Sequence, residues 1–341
     1  MKNLLEIFKP KRVGIDLGTA NSIVYVQGQG VVLEEPTVVA IDISDYSIVA
    51  IGQEAKLMLG KSPDRIVIKR PLRSGVIANS KVTKKLLSYF LTKALGKIRF
   101  FKPEVVISTP VGITSVEKRA VIKAAIEAGA SHVYLIPEPL AAAIGAKLPI
   151  HASIGNMIIN MGGGTTEIAV ISLNGIVIAD SVRIAGDAFN TAIMQYARKK
   201  KNLVIGEQMA EKIKIQIGSA LPVENPKTMQ VSGRDLGSGL PKIIEFNSND
   251  VAEALKQPLT EILTAVKKLL EKTPPELAAD IIDQGITLSG GSTLLDNLDR
   301  LFMKAIGSPV YLADDPLHCV VKGTGLALEH LDVLKKSLTM G

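Results

Sequence analysis

Short apolar runs alternate along this chain with longer segments of helical periodicity. Runs such as Val105–Ile107 and Met157–Ile159 are apolar at each position, which is typical of strands covered on both faces. From Val116 to Ala128, apolar residues recur at helical spacing, after a capping-box sequence at Thr114 and before Gly129. Strands that alternate with helices in this way predict an α/β fold.

One polar and glycine-rich pattern occurs twice, at residues 13–26 and 157–170. Each copy has an apolar strand, then Asp16 or Asn160, an apolar residue, glycine and threonine, and then a second apolar strand. This order predicts a β-hairpin with a glycine-rich turn.

Two such turns suggest a clamp for a polyphosphate. Glycine lets the backbone approach a ligand closely, and the N–H groups of the turn are suited to bind anionic oxygens. A single copy would favour the alternative of an ordinary hairpin. Two copies with the same order favour phosphate binding from both sides of a cleft.

Composition narrows the class of protein. The 341 residues are 47% hydrophobic, with one cysteine and a net charge of +7, so we expect two domains, a reducing cytoplasmic compartment and no disulfides. No apolar stretch is long enough to cross a bilayer. The basic run at residues 198–201 is interpreted as a solvated helix end, and we expect no nucleic-acid partner because no recognition motif accompanies it.

Two further sites carry candidate carboxylates. Glu138 lies in a Pro-Glu-Pro sequence that opens an alanine-rich helix; alone, it fits a carboxylate stabilised by the helix dipole. Glu207 and Glu211 share one face of a helix predicted from Gly206 to Gly218. A solvated acidic stripe and a binding face explain that spacing equally well.

Several segments together resemble the MreB family of bacterial actin-like proteins, within the superfamily of actin, sugar kinases and heat-shock chaperones. The resemblance covers nearly the whole chain and includes IDLGTANSIVYV, EPLAAAIGAKLP, MGGGTTEIAVISL and ITLSGGSTLLDNLD. It implies an actin-like α/β fold with two ribonuclease-H-like domains around an ATP cleft. Domain I would take residues 1–147 and 316–341, with an insertion at about 36–69; domain II would take 148–315, with an insertion at about 182–249.

The same resemblance assigns roles to individual residues around ATP or ADP with Mg²⁺. Asp16 would hold the metal through water, and Glu138 with Thr165 would position the attacking water. The residues implied to bind the nucleotide are Gly18, Thr19, Ala20 and Asn21 in the first phosphate loop, Gly162, Gly163, Gly164 and Thr165 in the second, Glu207, Glu211 and Lys214 near the ribose and adenine, and Gly290 and Gly291 on the adenosine side.

The chain departs from the family at Asn160, where relatives ordinarily carry aspartate near the metal. An amide keeps the shape of the side chain but has no charge. We therefore expect a weakened metal site and a weak, slowed ATPase, because metal charge neutralisation carries much of phosphoryl transfer.

Membrane contact is expected at two places. Leu4, Leu5, Ile7 and Phe8 form the apolar side of a short N-terminal segment flanked by lysines, which suggests an interfacial anchor. Phe100 and Phe101 match the membrane-insertion loop of the family. The alternative is that these two aromatics open the buried strand at Val105.

The leading functional hypothesis is a nucleotide-dependent cytoskeletal filament that controls cell shape, or motility in a wall-less cell. The resemblance implies head-to-tail self-association into antiparallel double protofilaments on the anionic inner face of the membrane, in a peripheral cytoplasmic location, with cell-shape or wall-synthesis membrane proteins as partners. A monomeric small-molecule kinase and a chaperone-type ATPase are the rival functions. The kinase lacks its sugar-binding motif here, and the chaperone needs a peptide-binding domain that we do not find.

Overall fold

Of the 341 residues, the computed structural model describes residues 10–73, 76–77, 80–96, 101–329 and 339–340. The predicted α/β class is confirmed, with two large mixed sheets and smaller sheets beside them. None of the helices in the described ranges combines the length and the apolar character needed to cross a bilayer.

The first large sheet has six strands in the order β19-β10-β9-β1-β2-β3. Its central strands β1, β9 and β10 are parallel, whereas β2 and β3 continue from β1 as antiparallel hairpins. The bounds of its strands are β1 Arg12–Leu17, β2 Asn21–Val26, β3 Gly30–Pro36, β9 Glu104–Thr109, β10 His132–Pro137 and β19 Thr339–Met340.

The second large sheet has five strands in the order β13-β12-β11-β17-β18 and repeats the arrangement of the first. Here β11, β17 and β18 are parallel, while β12 and β13 are antiparallel hairpin strands. The two copies of the sequence repeat, at residues 13–26 and 157–170, therefore form equivalent hairpins in two sheets of the same strand order. The bounds are β11 Asn156–Met161, β12 Thr166–Ser172, β13 Gly175–Val182, β17 Ile286–Ser289 and β18 Val310–Leu312.

Two three-stranded sheets lie within the segments predicted as insertions, and a short hairpin follows the first of them. The first of these sheets has β4 Val39–Asp42, β5 Ile48–Ile51 and β6 Ile66–Lys69; the second has β14 Leu203–Val204, β15 Thr228–Asp235 and β16 Pro241–Asn247; the hairpin is β7 Leu72–Arg73 with β8 Val76–Ile77. The domain boundaries themselves remain a prediction.

Helices accompany these sheets and bury mainly aliphatic side chains. The capping box predicted at Thr114 is present at the start of α3. The described helices are α1 Gln53–Leu57, α2 Ser80–Leu95, α3 Ser115–Glu127, α4 Glu138–Gly145, α5 Gly186–Lys200, α6 Glu207–Ile217, α7 Ser248–Glu271, α8 Pro275–Gln284, α9 Leu298–Ile306 and α10 Cys319–Glu329, with short 3₁₀ turns at Gly291–Leu294 and Pro316–His318.

Candidate functional site

A cavity of about 360 Å³ is lined by residues from both large sheets, from α1 and the segments that flank the first small sheet, and from helices α5 and α6. All the residues predicted to bind nucleotide or metal line this one cavity. They are Asp16, Gly18, Thr19, Ala20, Asn21, Glu138, Asn160, Gly162, Gly163, Gly164, Thr165, Glu207, Glu211, Lys214, Gly290 and Gly291.

The two glycine-rich turns meet directly at this cavity. A Cβ atom placed on Gly163 would lie 2.4 Å from the Cβ of Ala20, and one on Gly164 would lie 2.8 Å from Oγ1 of Thr19. Both distances are shorter than real Cβ contacts, so only glycine fits at these two positions without a shift of the opposite turn. The predicted juxtaposition of the two turns is therefore a property of the fold.

The carbonyl groups of the second turn are held by other parts of the chain. The carbonyl of Gly162 accepts hydrogen bonds from the Ser292 hydroxyl at 2.6 Å and from the Gly186 N–H at 3.2 Å, and that of Gly163 accepts from the Asp187 N–H at 2.7 Å. The N–H groups of Gly163 and Gly164 donate to none of the described residues. Donors without partners beside a cavity are suited to anionic oxygens.

Asp16 and Asn160 occupy equivalent positions near the ends of β1 and β11. Burial raises the pKa of Asp16 to about 6, although a hydrogen bond from the Ser108 hydroxyl at 2.8 Å acts in the opposite direction. The carbonyl oxygen of Asn160 accepts a hydrogen bond from the Ser289 hydroxyl at 3.2 Å. The repeat thus places one ionisable and one neutral side chain at the same point of the two sheets.

Glu138 is the first residue of α4 and is buried. Burial, followed by the nearby carboxylates of Glu167 and Asp16, raises the pKa of Glu138 well above its ordinary value. A raised pKa makes the Glu138 carboxylate a stronger base, and a group that positions and activates water needs a base of this kind.

The sequence interpretation missed Glu167, which pairs with Asn160 in the β11–β12 register. This side chain is buried and accepts hydrogen bonds from the Ser181 hydroxyl at 2.7 Å and from the Val111 N–H at 3.0 Å. Burial raises its pKa despite these bonds. Glu167 therefore connects the second sheet to the loop that follows β9 of the first. Its position just after the glycine-rich turn of the second copy of the repeat was the sequence signal that could have identified it.

One wall of the cavity, formed by α5 and α6, is rich in charged groups. Lys214 donates to the carbonyl of Gly186 at 3.0 Å, and burial lowers the pKa of its ammonium group, opposed by Glu211 and Asp187. Asp187 also lines the cavity, and burial raises its pKa. Sequence analysis did not identify Asp187, although it follows a glycine at a helix N-terminus.

The α6 carboxylates are ion-paired across the cavity with residues that the sequence did not indicate. Glu207 contacts Arg70, with 2.5 Å between Oε1 and Nη2, and Glu211 contacts Lys56, with 2.9 Å between Oε2 and Nζ. Both cations line the cavity from the opposite side. Both carboxylates are therefore engaged by cations, although their side chains remain partly exposed, 41% for Glu207 and 32% for Glu211.

The cavity also has an apolar wall, which suits a purine base. Its residues are Ile215, Leu294, Leu295, Leu317 and Val320. Gly290 is required nearby because its φ is +90° and a Cβ there would lie 2.4 Å from the carbonyl oxygen of Met161. The backbone at Gly290 is therefore packed closely against the end of strand β11. At Gly291, a Cβ would lie 3.0 Å from its nearest atom, Cδ1 of Leu317.

The oxygen donors of the cavity suit a Mg²⁺ ion that is held mainly through water. Within the described part of the chain, no three His, Cys, Asp or Glu side chains are grouped so as to hold a metal ion. Magnesium keeps most of its waters and binds proteins through one or two carboxylates, often together with substrate phosphates. Asp16 fits that requirement, while Asn160 adds an amide and no charge.

The predicted membrane contacts lie mostly outside the described residues. Leu4, Leu5, Ile7, Phe8 and Phe100 belong to segments that the structure does not describe. Phe101 is described, and its side chain is 47% exposed, so it does not form part of a buried strand.

Comparison with known proteins identifies the family. Residues 10–336 match the family model of MreB/Mbl protein. The cell shape-determining protein MreB of Escherichia coli (strain K12) is 50% identical over 327 residues, which cover 94% of each chain. The cell shape-determining protein Mbl of Bacillus subtilis (strain 168) is 46% identical over 324 residues, covering 95% of this chain and 97% of the relative.

Solved structures agree with this match. MreB5 of Spiroplasma citri bound to AMPPNP superposes with a TM-score of 0.92 at 37% identity, covering 96% of this chain and 98% of that one. A MamK double helical filament, at 20% identity and a TM-score of 0.79 over 94% of this chain and 99% of that one, shares the fold. The expected actin-like fold is confirmed, and the chain belongs to the MreB/Mbl protein family.

Proposed function

We propose that this chain is an actin homologue that binds ATP and ADP with Mg²⁺ in the described cavity and polymerises into filaments that control cell shape. The observation that carries the proposal is the direct contact of the two glycine-rich turns, at Gly163 with Ala20 and at Gly164 with Thr19. Two relatives are named cell shape-determining proteins, and MreB5 of Spiroplasma citri was solved with AMPPNP and with ADP.

In this proposal the chemistry divides along the cavity. The N–H groups of Gly163 and Gly164 bind phosphate oxygens and the apolar wall takes the base. Asp16 would hold hydrated Mg²⁺, which would supply positive charge to the phosphates. Glu138, assisted by the Thr165 hydroxyl, orients water towards the terminal phosphate and accepts its proton, while the water oxygen bonds to the phosphorus and the bond to the bridging oxygen breaks, with ADP as the leaving group. The resulting activity is a weak ATPase coupled to filament turnover.

An exchange of side chains between the two turns tests the phosphate clamp. Gly163→Ala places a methyl group against Ala20, so we expect the turns to separate and the Kd for ATP to rise about tenfold, equivalent to about 1.4 kcal/mol. Ala20→Gly in the same chain should restore most of the affinity, because it removes the opposing methyl. The measurement is equilibrium titration with ATP; wild-type affinity in Gly163→Ala alone would contradict the clamp.

Asn160 supports a slowed hydrolysis step. Replacing aspartate by an amide removes one negative charge from the expected metal site, which weakens the hold on Mg²⁺. Asn160→Asp should therefore increase phosphate release at saturating Mg²⁺ by about tenfold, and Glu138→Gln should abolish that gain. An unchanged rate in Asn160→Asp would refute the proposal while leaving nucleotide binding intact.

We also propose the division into two domains, with residues 1–147 and 316–341 around the first sheet and residues 148–315 around the second. It is supported by the repeated strand order and by the presence of one small sheet between the third and fourth strands of each repeat, β3 and β9 in the first and β13 and β17 in the second. Limited proteolysis with and without ATP tests it: protection by ATP should be strongest at cleavage sites near residues 147 and 316.

Membrane attachment is the last part of the proposal. Leu4, Leu5, Ile7, Phe8, Phe100 and Phe101 would insert into an anionic inner-membrane surface, in a peripheral cytoplasmic location. The exposed side chain of Phe101 supports this role. Co-sedimentation with liposomes containing anionic lipid tests it: Phe100→Ser with Phe101→Ser should reduce binding, whereas unchanged binding would exclude the loop.

The proposal also includes assembly: head-to-tail filaments that pair as antiparallel double protofilaments. Its expected partners are membrane proteins of cell shape or wall synthesis. They rest on membership of the family rather than on an interface in the single chain. Electron microscopy of the polymer tests the pairing directly.

A further inference from the structure

Glu167 is a charged residue in the interior of the molecule, near the start of strand β12. Its side chain is 0% exposed, and it is not one of the residues that line the cavity. Oε1 accepts a hydrogen bond from the Ser181 hydroxyl at 2.7 Å, and Oε2 accepts one from the Val111 N–H at 3.0 Å. Burial of a carboxylate is costly even when it is hydrogen-bonded, so its presence in the core needs an explanation beyond packing.

Thr165 is a third partner of this carboxyl group. Alternate residues along a strand share one face, and Thr165 immediately precedes β12, two residues before Glu167. Burial raises the pKa of Glu167, and hydrogen bonds with the side chain of Ser181, the N–H of Val111 and the side chain of Thr165 act against it. Thr165 itself lines the cavity. Glu167 therefore lies behind a residue that faces the nucleotide site.

The carboxylate determines how the Thr165 hydroxyl is used. A threonine hydroxyl rotates and can offer either its hydrogen or its lone pairs, whereas an ionised carboxylate only accepts. With its hydrogen directed at Glu167, the Thr165 hydroxyl presents lone pairs to the cavity and accepts a hydrogen bond from water. Glu138 accepts the other hydrogen of the same water, which leaves a lone pair of the water oxygen for the phosphorus.

The charge of Glu167 also acts on Glu138. After burial, Glu167 is the largest cause of the raised pKa of Glu138, ahead of Asp16. A negative charge close by makes a carboxylate a stronger base. One buried side chain thus affects both groups that are proposed to contact the attacking water.

We propose that Glu167 is a positioning residue for ATP hydrolysis: its carboxylate accepts the hydrogen of the Thr165 hydroxyl and so directs the lone pairs of that hydroxyl at the attacking water. This inference rests on the proposed function and adds to it a residue that touches neither the nucleotide nor the water. The Val111 N–H, in the loop after β9, holds the carboxylate from the side of the first large sheet, so the arrangement requires both halves of the molecule.

Glu167→Gln in the full-length protein is the first test. The amide can still accept from the Val111 N–H and donate to the Ser181 hydroxyl, so these two contacts are kept while the charged acceptor is lost. Phosphate release per polymerised subunit should fall about tenfold, as is common when the group that supports a reacting side chain is replaced. The Kd for ATP should stay within about twofold of the wild-type value.

A double-mutant cycle shows whether Glu167 acts through Thr165. Glu167→Gln should lower phosphate release about tenfold in a Thr165→Ser background, which keeps the hydroxyl, but less than about threefold in Thr165→Val, which lacks it. The smaller effect in Thr165→Val is the part that comes from the lost charge near Glu138. A residue that only stabilised the fold would show the same loss in both backgrounds.

Asp250→Asn is the matched control. Asp250 is another buried carboxylate of the second half of the molecule, and it accepts a hydrogen bond from the Tyr196 hydroxyl at 2.9 Å. Its replacement should lower the melting temperature, because a charged hydrogen-bond acceptor is lost. Phosphate release per polymerised subunit should not change.

The outcomes separate this inference from the proposed function. Phosphate release within about twofold of the wild type in Glu167→Gln, an equal loss in the two Thr165 backgrounds, or a Glu167→Gln chain that does not fold would overturn the positioning role. ATP binding and hydrolysis by the wild type would stand in each of these cases. A wild type that binds ATP and releases no phosphate would overturn the hydrolysis step of the proposed function, and the inference with it.

Discussion

Glu35, at the end of β3, shows how a single buried carboxylate can join three elements. It accepts hydrogen bonds from the Lys93 ammonium at 2.5 Å and from the Gln53 N–H at 2.8 Å, and a longer one from the Tyr89 hydroxyl. Burial alone would raise the pKa of Glu35, but these donors, Lys93 first, outweigh it and hold the pKa below its ordinary value of 4.5. The ionised form is therefore favoured by folding.

This shift predicts an acid-dependent loss of stability. Because the pKa of Glu35 is lower in the folded than in the unfolded chain, its contribution is fully present above about pH 5 and is lost as the pH falls from 4.5 through the folded pKa. Glu35→Gln should lower the free energy of unfolding by about 1 kcal/mol at pH 7, and its difference from wild type should shrink below pH 4.5.

Thermal unfolding between pH 3 and 7 measures that difference. Glu54→Gln, an exposed carboxylate on α1, serves as the control and should follow the wild type at each pH. A Glu35→Gln curve parallel to the wild type throughout the range would contradict the prediction.

Sequence patterns indicated the cavity residues whose chemistry is local. Asp16, Glu138 and the glycines of both turns stand in short patterns that also fix their backbone, and the structure brings them to one cavity. Arg70 and Lys56 could not be found in this way, because their significance comes from contacts made in three dimensions. The Lys56–Glu211 pair spans 155 positions of the chain, and the Arg70–Glu207 pair spans 137.

At the level of elements, the tightest contact is between helices α4 and α10. A Cβ on Gly145 would lie 1.8 Å from the carbonyl oxygen of Cys319, and one on Gly323 would lie 1.8 Å from that of Ala141. The same two helices belong to a buried cluster that includes Val106 of the first sheet and others from the second. Their backbones therefore touch where the two halves of the molecule meet.

Gly323→Ala should separate these helices. In an isolated helix, alanine is more favourable than glycine by about 1 kcal/mol, but here the added methyl meets backbone and cannot be accommodated by a rotamer change. We expect the free energy of unfolding to fall by at least about 2 kcal/mol, as measured by denaturant titration. Gly237→Ala, whose Cβ would be 3.5 Å from its nearest neighbour, should be close to neutral; stabilisation by Gly323→Ala would contradict the contact.

Element boundaries were predictable where glycine or a cap marks them. The helix predicted between Gly206 and Gly218 is Glu207–Ile217, and the alanine-rich helix begins at Glu138 as expected. That helix ends at Gly145 rather than near Lys147, because Lys147 itself adopts a left-handed backbone conformation with a φ of +59° and cannot continue the helix. The close packing of α4 on α10 had no sequence signal beyond the small size of their residues.

On the scale of the whole molecule, α6 is connected across the cavity to α1 and to Arg70, the residue that follows β6. Besides the Arg70–Glu207 and Lys56–Glu211 ion pairs, the Gln208 amide donates to the carbonyl of Lys56 at 2.9 Å. We call these three contacts the cleft bridge. We expect a nucleotide that leaves the cavity through this side to break them.

Weakening the cleft bridge should therefore accelerate nucleotide release. Partly exposed ion pairs contribute up to about 1 kcal/mol, so Lys56→Ala should increase the release rate of a fluorescent ADP analogue by about threefold. High salt should accelerate release from the wild type more than from the variant, because the ion pair is already absent there. Lys61→Ala, an exposed lysine nearby, is the control, and equal release rates for Lys56→Ala and wild type would contradict the gating role.

The repeated topology of the two large sheets was recognisable in the sequence as two hairpins, because the pairing of hairpin strands and the chemistry of their turns are local. The parallel strands that join each hairpin, β9 and β10 in the first sheet and β17 and β18 in the second, depend on crossovers of many residues. The family resemblance implied two ribonuclease-H-like domains but no order for these strands, and neither the patterns nor the resemblance indicated the ion pairs across the cavity.

The central claim is that nucleotide bound between the two glycine-rich turns drives filament assembly. The most direct measurement is ultracentrifugal pelleting of the full-length protein over a range of ATP concentrations with Mg²⁺, with bound nucleotide quantified in the same samples and the pellets viewed by electron microscopy. We predict filaments whose mass rises in parallel with ATP occupancy in the wild type and, at each ATP concentration, falls with occupancy in Gly163→Ala. A wild type that saturates with ATP and stays monomeric, or filaments that form equally without nucleotide, would contradict the claim.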